Sequence, residues 1–173
     1  HKKGEEQEAF AAYDSCLQWK DDNVMALNNY AYYLSEKGVD LHKAESMSYK
    51  TIKAEPNNGT YLDTYAWILF MEERYADAKT YIDQALKNRD STADNSTVLE
   101  HAGDIYYMNG MADESVDFWK KAYTGENQTE VLAWKIKNRQ YITEEELKKR
   151  NAPKQKPAAT KKSVRNCLLY TSD

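Results

Sequence analysis

Turn-forming residues are scarce in this chain, with 6 glycines and 3 prolines in 173 residues. Turns draw heavily on those two residue types, so their shortage argues for helices joined by short connections. Cysteine is nearly absent too. Cys16 and Cys167 stand in no C-x-x-C or metal-ligand spacing, so neither a redox motif nor a zinc site can be read from them. No apolar run approaches the roughly 20 residues of a membrane-spanning helix. The histidines, His1, His42 and His101, lack the spacing of a metal-binding helix, and the His42–Glu45 pair falls on an exposed turn of a helix. There is no glycine-rich phosphate loop and no Ser or Cys in a nucleophile elbow. These absences lead to an expectation of no catalysis, no metal and no cofactor. The triplets beginning at Asn58, Asn95 and Asn127 match a glycosylation acceptor, but a chain rich in Asn and Thr produces such triplets by chance.

Aromatic residues are abundant by contrast, with 14 Tyr and 4 Trp. The charge is divided unevenly. From Leu147 onward, eight basic residues (Lys148 to Arg165) face only Asp173, which gives +7. Since the whole chain carries −4, the first 146 residues carry −11. An acidic body precedes a basic, Pro- and Ala-rich tail that cannot bury an apolar face and is expected to be disordered. The acidic body would repel a nucleic-acid backbone, and no aromatic residue interleaves the charges of the tail.

The body repeats itself. "NNYAYYL" at 28–34 returns as "DTYAWIL" at 63–69 and, more loosely, as "EHAGDIY" at 100–106. Aligned, the copies place Leu27, Leu62 and Leu99 in one column, then Tyr30, Tyr65 and Ala102, then the small residues Ala31, Ala66 and Gly103. Leu34, Leu69 and Tyr106 follow three places on. Offsets of 3, 4 and 7 describe one apolar face of a helix. A second amphipathic stretch follows each copy, with small residues at Ala44, Ala78 and Ser115 and again at Thr51, Ala85 and Ala122. Recurrent small residues let helix axes approach to the near end of the ~8–10 Å range, while Leu, Tyr and Trp fill the volume beside them.

These columns, about 35 residues apart, resemble the tetratricopeptide repeat, a helix–turn–helix unit. The resemblance implies an all-α, right-handed superhelical solenoid of bacterial type, and a fragment of a longer array is the expectation. It divides the chain into the second helix of a truncated repeat (1–22, with Ala9, Tyr13 and Cys16 in its columns), repeats at 24–57, 59–92 and 96–127, a capping helix at 128–141 and the basic tail at 142–173. The first repeat carries one extra residue in its turn, and the loop before the third exceeds the family length by three, with Asn95 or Ser96 expected to cap the helix that follows. The capping helix is expected to turn Val131, Trp134 and Ile136 inward. Within the tail, "TEEELKKR" could form a turn or two capped by Thr143 and Glu146. The closing "CLLYTSD" resembles a translated sequencing adapter, so Cys167 is given no role.

In this family the first helices line a concave groove. Carried over column by column, the groove positions are Asn28, Tyr32 and Ser35; Asp63, Trp67 and Phe70; and Glu100, Asp104 and Tyr107. Two readings of them stand. The aromatic walls and the like-charged Glu100–Asp104 pair could grip a Lys or Arg of an extended peptide; equally, they could be a solvated acidic face with aromatics packed between helices. The family's Lys/Asn clamp for chaperone C-termini matches only at Asn28, which argues against that ligand. The resemblance therefore implies a non-catalytic protein-interaction scaffold. Its alternatives are a structural spacer or an accessory subunit of a bacterial envelope assembly, with the compartment open.

Overall fold

The computed structural model describes residues 23–152, together with 4, 7, 8, 10–13 and 15. Among the described residues the fold is entirely helical. The helices are α1 (Val24–Lys37), α2 (Leu41–Ala54), α3 (Gly59–Met71), α4 (Tyr75–Asn88), α5 (Ser96–Met108), α6 (Ala112–Ala122), α7 (Glu130–Asn138) and α8 (Glu144–Asn151), with a 3₁₀ turn at Gly125–Asn127. None of them is long and apolar enough to cross a membrane. Helices α1/α2, α3/α4 and α5/α6 pair as three successive hairpins. Helix α3 also packs against both α1 and α5, so the first helices of the hairpins stack into one face.

The helix boundaries follow from local chemistry. The Asn23 side chain accepts the Ala26 N–H, and that of Asn58 accepts from Thr60 and Tyr61, so α1 and α3 begin with satisfied donors. Helix α1 ends at Gly38, whose φ of 63° is the left-handed conformation in which the terminal N–H reaches back to the Leu34 and Ser35 carbonyls. At α5 the expected cap is corrected. Neither Asn95 nor Ser96 caps through its side chain; the Ser96 N–H goes to Asp94 Oδ1. The Asn95 amide is turned inward instead, donating to the Asp90 and Ala93 carbonyls and closing the long loop on itself.

Packing matches the repeat columns. Ala31, Ala66, Ala44, Ala78, Ser115, Thr51, Ala85 and Ala122 are all 0% exposed, the condition for close helix approach. Leu34, Leu69, Ile82 and Ile105 fill the space beside them, each fully buried and each contributing about 1.5–3 kcal/mol by leaving water. In the first 22 residues, the Tyr13 ring stacks on Tyr30 at 5.1 Å and Phe10 meets Tyr33 edge-on at 5.3 Å. Ala9 and Cys16 lie outside the described residues.

The C-terminal part differs from its sequence reading in two ways. On α7 the residues buried deepest are Leu132 and Lys135, while Val131, Trp134 and Ile136 are half-buried. The inward stripe is set by Lys135, drawn in by two carboxylates described below. The segment expected to be disordered from 142 folds as far as Ala152. Thr143 and Glu146 form a reciprocal capping box, and Ile142 and Leu147 are 2% and 4% exposed. Two apolar residues five apart suffice to dock this arm because Tyr141 precedes them and packs edge-on against Phe70 at 5.8 Å. Residues 153–173 lie outside the described part of the chain.

Candidate functional site

The stacked first helices, α7 and the arm enclose a concave cavity of about 890 Å³. Helix α1 contributes Tyr32 and Glu36, α3 contributes Trp67, α5 contributes Glu100, His101 and Asp104, and the arm closes one side with Tyr141, Ile142 and Leu147. A second cavity of about 600 Å³ lies where α1, the start of α3 and the 89–95 loop meet, with Asn28 and Asp63 in its wall. Tyr32 and Thr97 belong to both.

The expected groove residues therefore divide. Tyr32, Trp67, Glu100 and Asp104 line the larger cavity, and Asn28, Tyr32 and Asp63 the smaller. Phe70 is 6% exposed and belongs to the core beneath Trp67, whereas Tyr107 packs against Trp119 at 5.9 Å in the α6–α7 cluster. Ser35 is fully buried and returns its hydroxyl to the Tyr32 carbonyl.

The acid pair on α5 is already engaged. Lys135 Nζ lies 2.8 Å from both carboxylate oxygens of Asp104 and 3.1 Å from Glu100 Oε1, and the Trp119 indole N–H donates to Asp104 Oδ1 at 2.8 Å. Asp104 and Lys135 are each 3% exposed. Burial pushes the Asp104 carboxyl above its usual range, against the pull of Lys135. Two donor groups, the Lys135 ammonium and the Trp119 indole N–H, converge on this carboxyl and favour its charged form.

The floor of the cavity is a stacked aromatic group. Trp67 lies nearly parallel to Phe70 (centroids 4.7 Å apart) and to His101 (4.1 Å), and its indole N–H donates to Glu36 Oε1 at 2.9 Å. His101 Nδ1 meets Asp63 Oδ1 at 2.9 Å with both side chains nearly buried. Burial by itself lowers the imidazole, but the Asp63 charge and hydrogen bond outweigh it and leave His101 above its ordinary 6.5. Tyr32, also desolvated and beside Glu36, is held well above the ordinary phenol range.

A consequence for stability follows from the sign of that shift. A base whose folded pKa exceeds its unfolded value of ~6.5 stabilises the fold fully below ~6.5 and loses that contribution as pH rises through the folded value. The His101 ring protons, followed by NMR, should titrate with a midpoint above 6.5, and Asp63→Asn should bring that midpoint down. A midpoint at or below 6.5 in the unaltered chain would contradict the charged His101–Asp63 pair.

A role for His101 or Lys135 and the docking of the arm are absent from the sequence reading, whereas the Thr143–Glu146 cap of the arm's helix is read there. His101 directly follows a groove position, and Lys135 sits three places after the apolar Leu132 on one helix face; those spacings were the available signals.

No family model matches the chain. A segment of 66 residues is 35% identical to a TPR repeat-containing protein of Pseudomonas aeruginosa, covering 38% of this chain and 11% of that protein's length. Among solved structures, PilF of Pseudomonas aeruginosa superposes with a TM-score of 0.66 at 16% identity, over 80% of this chain and 61% of that one. MamA gives 0.61 at 17% identity, over 80% and 78%. The chain has the tetratricopeptide-repeat fold. YrrB, described as a TPR protein with an unusual peptide-binding site, gives 0.59 at 14% identity, over 72% of the array and 62% of its own chain. The array thus has a fold that generally serves as a protein–protein interaction scaffold and is generally non-enzymatic. It spans about a tenth of the length of the Pseudomonas relative.

Proposed function

We propose that the array is a non-catalytic scaffold that receives a peptide segment of a partner protein in the larger cavity. The observation that carries this reading is the composition of that cavity. A concave space of about 890 Å³ is walled by aromatic residues and rimmed by Glu36, Glu130 and Glu144, which suits an extended segment with apolar and basic side chains. Because Lys135 already pairs with Glu100 and Asp104, and Lys148 with Glu144, the grip on a partner's cation falls to Glu36 and Glu130, and the Trp67 plate supplies apolar contact. The peptide-binding site ascribed to YrrB, on the same fold, is consistent with such a use.

A displayed library of random peptides, selected on the whole chain, tests the reading. An enriched peptide family should bind at least ~10-fold more weakly to Trp67→Ala, the loss typical of an aromatic anchor. Because Trp67 also packs internally, the exposed charge reversal Glu36→Lys serves as a second variant; it removes only the exposed acceptor of the Trp67 N–H, so it should weaken basic peptides while lowering the melting temperature less than Trp67→Ala does. Enrichment that ignores both substitutions, or no enrichment at all, would favour a spacer.

A further inference from the structure

We infer, on the peptide-binding reading of the larger cavity, that the arm (residues 141–152) is an internal competitor for it, and that a partner segment takes its full seat by lifting the arm away. The arm covers part of the face on which a guest would lie. Tyr141 packs on Phe70, one of the expected groove positions, and its ring centre is 5.3 Å from Lys135 Nζ. Ile142 and Leu147 line the cavity, yet at 2% and 4% exposed they present almost nothing to a guest. The apolar surface they occupy becomes available when the arm leaves. Glu130 is engaged as well, since its Oε1 accepts the Asn151 amide at 3.1 Å. Of the two acids left to grip a partner's cation, one is thus fastened to the arm.

The fastening suits a part that is released and re-seated. Unlike the paired helices of the hairpins, α8 is packed closely against no other helix among the described residues, and Leu147 is its one buried residue. Its other ties are exposed side chains, the Asn151 amide and the Arg150 guanidinium 5.2 Å from the Trp134 ring centre. Elements with so few buried contacts open at lower free energy than the rest of a fold. The bonds that order α8 are internal to it. Thr143 and Glu146 close the capping box, and Glu144 pairs with Lys148 and Glu145 with Lys149 one turn apart. Lifting the helix breaks none of them. The junction is Arg139, a residue other than glycine at φ 55°, between the end of α7 and the arm. The arm also defines what displaces it. The partner is an amphipathic helix with an aromatic–aliphatic pair, a second aliphatic residue five places on, and a basic residue where Asn151 stands. A charge-assisted bond from that residue to Glu130 exceeds the neutral one from the Asn151 amide.

The test is NMR of the whole chain, read on the contact between the Tyr141 and Phe70 rings. A library-selected peptide should abolish that contact at saturation. Leu147→Asp, which puts a charge into the arm's apolar seat, should abolish it without peptide while the Trp67–His101 stack stays intact. The same variant should bind the selected peptide at least ~3-fold more tightly, because the share of molecules with an open seat rises. Arg150→Ala with Asn151→Ala removes only exposed fastenings and should act in the same direction. Trp67 and Glu36 stand on α3 and α1, so a cavity that binds no peptide is revealed by their variants, and an arm that does not compete by its own. If selection yields no peptide, loss of the Trp67–His101 stack in Leu147→Asp overturns the inference, since the arm is then part of the core; survival of the stack keeps the arm a releasable cover. A bound peptide that preserves the Tyr141–Phe70 contact, or arm variants that fail to tighten binding, would make the arm a fixed wall of the site and overturn it too.

Discussion

Replacing Lys135 with alanine is expected to destabilise the array by about 3–5 kcal/mol, the range for removing one partner of a buried ion pair. The ammonium is 3% exposed and bridges Asp104 and Glu100. Without it, Asp104 keeps a single charge-compensating contact, the Trp119 N–H, inside a shell that excludes water. The carboxyl would then take up a proton rather than stay charged, so the loss should be smaller in mildly acidic buffer than at neutral pH. Urea unfolding midpoints at two pH values measure both effects. The double replacement Lys135→Met with Asp104→Leu should recover only part of the loss, because the apolar pair removes the buried charges but leaves the buried Trp119 N–H without its acceptor. A single variant that loses less than ~1 kcal/mol would place Lys135 with ordinary surface ion pairs.

The second large effect is expected at Gly103. Helix propensity alone favours alanine there by ~1 kcal/mol, so a helix considered in isolation would gain stability. Packing predicts the opposite. A Cβ at residue 103 would lie 2.3 Å from Trp119 Cδ1 and 2.4 Å from Nε1, far inside contact distance. Trp119 has no room to yield, being 0% exposed and tied through Nε1 to Asp104. The Gly103 carbonyl also accepts the Ser115 hydroxyl across the same interface. Gly103→Ala should therefore cost about 3 kcal/mol, the upper end for overpacking, measured by thermal or urea melting. Adding Trp119→Leu should make the alanine tolerable. A stabilised Gly103→Ala would mean that Trp119 does not pack as described.

These two residues also mark how far the sequence could be read. The repeat columns were legible because each packing site recurs, and the same small residue was required at Ala31, Ala66 and Gly103 wherever two helices cross. Recurrence did not reveal why the third copy has glycine. That depends on Trp119, 16 residues away, and hence on a packing distance that periodicity does not encode. Lys135 was missed for a related reason. A lysine on an amphipathic helix ordinarily marks the wet side, and only the tertiary approach of two α5 carboxylates turns it inward. The arm's Thr143–Glu146 cap was legible, but its docking was hidden by composition: in a basic segment, three apolar residues, Tyr141, Ile142 and Leu147, suffice to dock a short helix once a groove is present to receive them. The groove positions themselves came from the family resemblance. Burial then separates Phe70 and Tyr107, which serve the core, from Tyr32 and Trp67, which border open space.

The larger cavity is the proposed recognition surface. Calorimetric titration of one library-selected peptide into the whole chain, beside Trp67→Ala and Glu36→Lys, tests this directly. A saturable, salt-sensitive association is expected, weakened by each substitution ~10-fold or more, about 1.4 kcal/mol, with Glu36→Lys melting closer to the unaltered chain than Trp67→Ala does. Equal affinities across the three proteins would contradict it.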